Sequence, residues 1–181
     1  MSPPVLVTPR LEIRPLQRED AAEVQHIRAL PEVARYQWWE PADPPEVERL
    51  AVAQEGREPG ARGTWFQFVM VLRSSGMLIG DIGLHSPADA DAEVELGISL
   101  DPAHQGEGYA AEAMRAMLGF SFDVLRVHRV RCSTDPRNRA CIRMLEALGM
   151  RREAHFRESL WFKGAWADDL VYAILEQEWR G

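Results

Sequence analysis

Gln105-Gly106-Glu107-Gly108-Tyr109-Ala110 follows a strand-like stretch and opens a helix-like one, so a run of bare backbone amides meets any anion that docks there. Glycine adopts backbone conformations that other residues avoid and lets a ligand approach closely, while first-turn N–H groups and the helix dipole favour negative charge. The spacing predicts a pyrophosphate cradle. The string alone also fits two glycines in an ordinary strand-to-helix turn, so the flanking segments have to decide. Just upstream, Glu93 and Glu95 stand two apart in the strand-like stretch and therefore share a face. Mutual repulsion and partial burial would raise a carboxyl pKa there toward usefulness as a proton acceptor. Two solvated acids on an exposed face fit the same spacing.

The elements that must hold these residues are legible in outline. A strand is expected around Leu6 to Pro15, then a helix from Asp20, a fair N-cap, to Leu30, ended by Pro31. Glu46 to Gln54 reads as a short helix. Thr64 to Arg73 and Met77 to His85 read as two strands joined by Ser74-Ser75-Gly76, a hairpin signal. Ala92 to Leu100 alternates, with Val94, Leu96 and Ile98 on one side and Glu93, Glu95 and Gly97 on the other. Gly97 inside it suggests a bulge or a splay, or simple packing. Ala110 to Leu125 repeats apolar residues at helical spacing and forms the expected central helix. Val127 to Thr134 supplies another strand, Asp135-Pro136 the expected start of a helix stopped by Gly149, and Arg152 to Phe162 with Asp169 to Leu175 a terminal strand pair. The class is α+β with a mixed, mostly antiparallel central sheet.

At 181 residues and 46% apolar composition the chain makes one domain, burying roughly 70% of the surface its unfolded form exposes. With only Cys132 and Cys141, a disulfide framework and a zinc site are not expected. No basic-then-apolar leader opens the sequence and nowhere do about 18 apolar residues run together, so a soluble cytoplasmic protein is expected, with no membrane partner. A formal charge of −7 argues against a nucleic-acid partner, which needs clustered Lys and Arg, and is compatible with a cationic one.

Three separated blocks together resemble the GNAT superfamily of acyl-CoA-dependent N-acetyltransferases. Gln105, Gly108 and Ala110 fill its Q/R-x-x-G-x-G/A pattern. Asp135-Pro136-x-Asn138-x-x-Cys141, ending in Leu148-Gly149-Met150, is similar to the segment whose Asn reaches the pantetheine arm. Thr8-x-Arg10-Leu11-x-Ile13-Arg14-Pro15 at the start, with Arg157-Glu158-Ser159, Trp166, Asp168-Asp169-Leu170-x-Tyr172 and Glu178-Trp179 at the end, resembles the RimJ/RimL group. That resemblance implies a GNAT-type sheet of about seven strands flanked by about four helices, acetyl-CoA as cofactor, and direct attack of a primary amine on the acetyl carbonyl.

The resemblance also implies roles. Backbone amides of Gln105, Gly106, Glu107, Gly108, Tyr109 and Ala110 would hold the pyrophosphate, and main-chain groups of Ile98 and Leu100 would pair with pantetheine like an added strand. Glu95, Glu93 and Glu158 are the candidate bases, with Glu95 favoured for its position beside the cofactor strand. Many relatives place a Tyr seven residues after the Asn to protonate the thiolate, where this chain has Leu145; the RimJ/RimL group commonly has a Ser where Cys141 stands. Cys141 is thus the candidate acid and a cofactor neighbour, or a small buried residue. Tyr36, Trp38 and Trp39 are expected walls of the acceptor pocket, with Glu40, Asp43 and Glu46 adding negative potential, or alternatively a cover over the core. The acceptor is a peptide N-terminus, including that of a ribosomal protein, or a small amine such as an amino acid, polyamine or aminoglycoside. A homodimer is compatible with the sequence. Two other classes fit less of it: a dinucleotide-binding oxidoreductase, whose glycines should follow the strand without the intervening Asp101-Pro102-Ala103-His104, and a catalytically idle acyl-CoA-binding module.

Overall fold

The computed structural model describes residues 4–37, 39 and 46–181; the expectations placed on Trp38, Glu40 and Asp43 lie outside the described residues. Eight strands are β1 (Leu6–Val7), β2 (Leu11–Pro15), β3 (Thr64–Leu72), β4 (Leu78–Ser86), β5 (Glu93–Leu100), β6 (Arg129–Thr134), β7 (Arg151–Phe162) and β8 (Ala165–Leu175). The helices among the described residues are α1 (Ala21–Ala29), α2 (Pro31–Ala34), α3 (Glu46–Gln54), α4 (Tyr109–Asp123), α5 (Arg139–Ala147) and α6 (Glu176–Arg180). The strands form one sheet in the order β1-β2-β3-β4-β5-β6-β8-β7. Among the described residues only β5 and β6 run parallel; α4 makes the crossover that a parallel pair requires.

The counts exceed the expected seven strands and four helices for local reasons. The first strand breaks where the Thr8 hydroxyl and the Leu11 backbone close a turn, leaving β1 and β2 as a small antiparallel pair. Pro31 both ends α1 and opens α2, since its fixed φ suits a first helical position. The helix predicted to begin at Asp135 begins later. The Asp135 carboxylate is taken by the backbone N–H and guanidinium of Arg137 in a turn, and Asn138 is the true N-cap, its side-chain oxygen accepting from the Cys141 N–H at 3.2 Å. Gly149 follows α5 with φ +85°, as a helix-stopping glycine should.

Alternation along β3 splits the core between two layers. Phe66, Phe68 and Met70 face Met114, Met117 and Leu118 of α4, while Val69 packs with Val24 of α1 and Val47 and Ala51 of α3 on the opposite face. Met117 is fully buried, and truncating such a side chain to Ala costs about 2–5 kcal/mol. The α1 layer carries a buried charge pair. Arg28 reaches Asp81 of β4 at 2.5 Å and Gln67 of β3 at 3.3 Å, beneath the Trp39 ring.

The seam between β5 and β6 is short. Glu93, Val94 and Glu95 pair with Arg129, Val130 and Arg131. Past that point β5 continues beside β4 to Leu100, β6 continues beside β8 to Thr134, and the two strands part.

Candidate active site

Where β5 and β6 part, a cleft of about 600 Å³ opens, walled by Gly97 to Leu100, by Ser133 and Thr134, by the turn into α4, by the start of α5 and by Tyr36 and Gln37 after α2. Gly106 and Gly108 hold φ of +80° and +83°, and Gly108 is the N-cap of the fifteen-residue α4. L side chains rarely adopt that backbone, so the glycines are what allow the turn to present first-turn amides to the cleft. The loop is anchored from three directions: the Gln105 side-chain amide donates to the Leu100 carbonyl at 3.1 Å, Asp101 caps Ala103, and the Arg10 guanidinium donates to the Glu107 carbonyl at 2.9 Å while lying 4.2 Å over the Tyr109 ring. Arg10 is in turn tied to Glu112, which also accepts from Thr8. Burial pushes the Glu112 carboxyl up, but the bonds from Thr8 and Arg10 outweigh it and hold it below the usual range. The Glu107 side chain is not part of the cleft wall.

Arg137, just before the Asn138 cap, and Arg139 and Arg143 of α5 line the same cleft. Arg137 is paired with Asp135 at 2.6 Å, while Arg139 and Arg143 make no ion pair among the described residues, so in a chain of net charge −7 this wall holds cations suited to phosphate oxygens. The Arg-x-Arg-x-x-x-Arg spacing from 137 to 143 is the signal in the sequence for this cationic wall. With the glycine turn and the unpaired edge of β5, these cations fit a nucleotide-tailed thioester such as acetyl-CoA. The Ile98 carbonyl on that edge already accepts from the Gln37 side-chain amide at 3.1 Å.

The expected bases are placed differently. Glu93 is bound by Arg129 at 2.7 Å and Arg131 at 3.3 Å, and Glu95 by Arg131 at 2.9 Å with His85 4.0 Å away. They share a face as predicted, but the parallel neighbour β6 presents arginines to them, so repulsion between two acids does not govern the pair, and neither lines the cleft. Glu158 is exposed on a bulge of β7 with φ +44°, its N–H donating to Asp168 at 2.9 Å, and it too is outside the cleft wall. Cys141 does line the cleft. Burial pushes its thiol up against the smaller effect of a hydrogen bond with Thr134, so the group stays protonated at neutral pH. Leu145 is fully buried. Tyr36 lines the cleft, with its hydroxyl 3.5 Å from the Arg137 carbonyl, whereas Trp39 turns inward, donating its ring N–H to the Arg28 carbonyl at 3.1 Å. Trp39 is therefore part of the cover over the Arg28–Asp81 pair and not a wall of the cleft.

The family model described as "Acetyltransferase (GNAT) domain" matches residues 10–151. The chain belongs to the GNAT acetyltransferase family. It is 34% identical over 114 residues to the uncharacterized N-acetyltransferase YnaD of Bacillus subtilis, an alignment spanning 63% of this chain and 66% of that protein. It is 27% identical over 84 residues to the ribosomal protein uS5-alanine N-acetyltransferase of Escherichia coli, spanning 46% of this chain and 43% of that one. Among solved structures, spermidine N-acetyltransferase from Vibrio cholerae in complex with CoA and spermine superposes with a TM-score of 0.83 at 23% identity, covering 96% of this chain and all of that chain, a likeness of fold. As a GNAT enzyme the protein is an acetyl-CoA-dependent N-acetyltransferase.

Proposed function

We propose that this GNAT enzyme acetylates a primary amine, with the N-terminal amine of a protein as first candidate, and that the donor lies along the open edge of β5 with its pyrophosphate over the Gln105–Ala110 turn. The observation that carries the proposal is the parting of β5 and β6 directly above that turn. Acetyl-CoA supplies the activated acetyl thioester. The amides from Gly106 to Ala110, with Arg137, Arg139 and Arg143, would hold its phosphates; Ile98, Leu100 and Asn138 would align the pantetheine arm. Cys141, kept as a thiol on the cleft wall, would meet the leaving sulfur.

A protein N-terminus is supported by the E. coli relative's named substrate and by the pairing of Glu93 with Arg129 and of Glu95 with Arg131, which engages two acids that could otherwise attract a polyamine. Glu32 on the cleft wall supports a second reading, a small cationic amine. Release of free thiol from acetyl-CoA should be followed with four acceptors: an alanine-initiated peptide, a free amino acid, spermidine and an aminoglycoside. Fastest turnover with the peptide is expected. Turnover with spermidine alone would support the second reading, and no acceptor-dependent thiol release would overturn both.

A further inference from the structure

We infer that the Ser133 hydroxyl and the Asp169 carboxylate form the path by which the acceptor ammonium loses its proton. The inference rests on the amine-acetylation reading above and supplies the base that Glu93, Glu95 and Glu158 do not.

Ser133 stands two residues beyond Arg131, the last residue of β6 that pairs with β5, so it sits where the strands have begun to part. It is exposed and forms part of the cleft wall. By strand alternation its side chain shares a face with Arg129 and Arg131, opposite the face on which Val130 and Cys132 join the α4 core. Asp169 lies on β8, the neighbour of β6, where Ser133 is in register with Val171. Half-buried on the face that Ser133 shares, it lies diagonally across the β6–β8 pair from Ser133, and hydrogen bonding from that hydroxyl is among the influences that draw its carboxyl down.

The carboxylates around the seam differ in what already holds them. Arginines hold Glu93 and Glu95, and Asp168 accepts from the Glu158 N–H and contacts His155 at 2.6 Å. Asp169 makes no ion pair among the described residues. The charged and polar groups that face it are Glu95 from β5, Arg131 and Ser133 from β6, and Asp135 from the loop after β6; its register partner on β7 is the uncharged Phe156. Burial, helped by repulsion from Glu95 and Asp135, raises its carboxyl above the usual range despite the Ser133 bond and Arg131. A raised carboxyl is a stronger base when ionised, which is what removing a proton from an ammonium asks for.

A hydroxyl can donate and accept at once, so Ser133 can relay. The ammonium N–H bond breaks as its proton passes to Ser133 Oγ, and the proton of Ser133 passes to Asp169. The freed lone pair on nitrogen is then available to the thioester carbonyl carbon; a C–N bond forms, the C–S bond breaks, and the sulfur takes the second proton leaving the nitrogen. Asp169 returns its proton to water, leaving amide, thiol and one released proton.

The test combines two measurements on the full chain. In the free protein, carbon-13 NMR should show Asp169 titrating above the ordinary carboxylate range, and Ser133→Ala should move it further up by removing the bond that lowers it. With acetyl-CoA and the best acceptor of the four-member panel, Asp169→Asn should lower kcat/KM by on the order of 100-fold or more and flatten the acidic limb of its pH profile. Ser133→Ala should lower it less, about 10-fold, because water can replace a hydroxyl. Acetyl-CoA affinity should stay within about threefold of wild type in both variants, well inside the tenfold that 1.4 kcal/mol represents. Asp169 titrating in the ordinary range, or Asp169→Asn keeping the wild-type rate and pH profile, would overturn the inference while leaving acetyl transfer intact. A wild-type protein that transfers acetyl to no amine would instead remove the reading on which the inference rests.

Discussion

One seam of the sheet has two halves with opposite characters. From Glu93 to Glu95, β5 is laddered to β6 and its outward acids are locked to Arg129 and Arg131. From Leu96 to Leu100 the same strand has lost that partner, and its free edge lines a cleft with a glycine turn at one end. The closed half pairs its acids with arginines, whereas, among the described residues, no strand replaces β6 along the open half, and the Ile98 and Leu100 carbonyls accept only from the side chains of Gln37 and Gln105. The site is built by stopping a ladder early, with the closed half fixing where it stops.

Filling the open half should have the largest effect. An added Cβ at Gly97 meets no atom within 4 Å, so the side chain of Gly97→Leu starts in open space on the cleft wall. Acetyl transfer should fall about 100-fold, the order expected when reacting groups are displaced by an ångström or so, with the thermal transition little changed. Wild-type turnover in this variant would mean that the donor does not run beside Gly97.

Straining the glycine turn should come next. Gly108→Val forces a branched side chain into a backbone with φ +83°, at about 1–2 kcal/mol, or roughly 5- to 30-fold. Calorimetric titration with CoA should show that loss as weaker binding, accompanied by lower stability at the start of α4.

Disturbing the closed half should cost least. Arg129 holds Glu93 at 2.7 Å and Glu153 at 2.5 Å, both partly exposed. Arg129→Met should lower unfolding free energy by about 1 kcal/mol in urea titrations, a difference that shrinks at high salt, with acetyl transfer nearly unchanged. A loss of transfer comparable with that of Gly97→Leu would erase the distinction between the halves.

Much of this was legible in the sequence because local chemistry sets it. Glu46–Gln54 was read with its observed bounds, Ser74-Ser75-Gly76 joins β3 to β4, and Gly106 and Gly108 hold the conformations their position demanded. What escaped depends on neighbours remote in the chain. Glu93 and Glu95 are 36 residues from Arg129 and Arg131, and no turn sets the register of a parallel pair, so nothing in their spacing revealed that they were neutralised. Asp169 was visible only as part of a terminal motif, since its importance comes from β8 lying against β6. The start of α5 was misplaced because Asp135-Pro136 has the composition of a helix start, and a local competitor, Arg137, takes the capping carboxylate.

Backbone amide NMR during a CoA titration tests the central claim most directly. The account predicts that the resonances of Gly97 to Leu100 and of Gly106 to Ala110 shift together and saturate together, while those of α3 and of Val94 and Glu95 in the closed half move little. Saturable CoA binding that leaves both open segments unmoved, or that shifts a different face of the sheet, would contradict it.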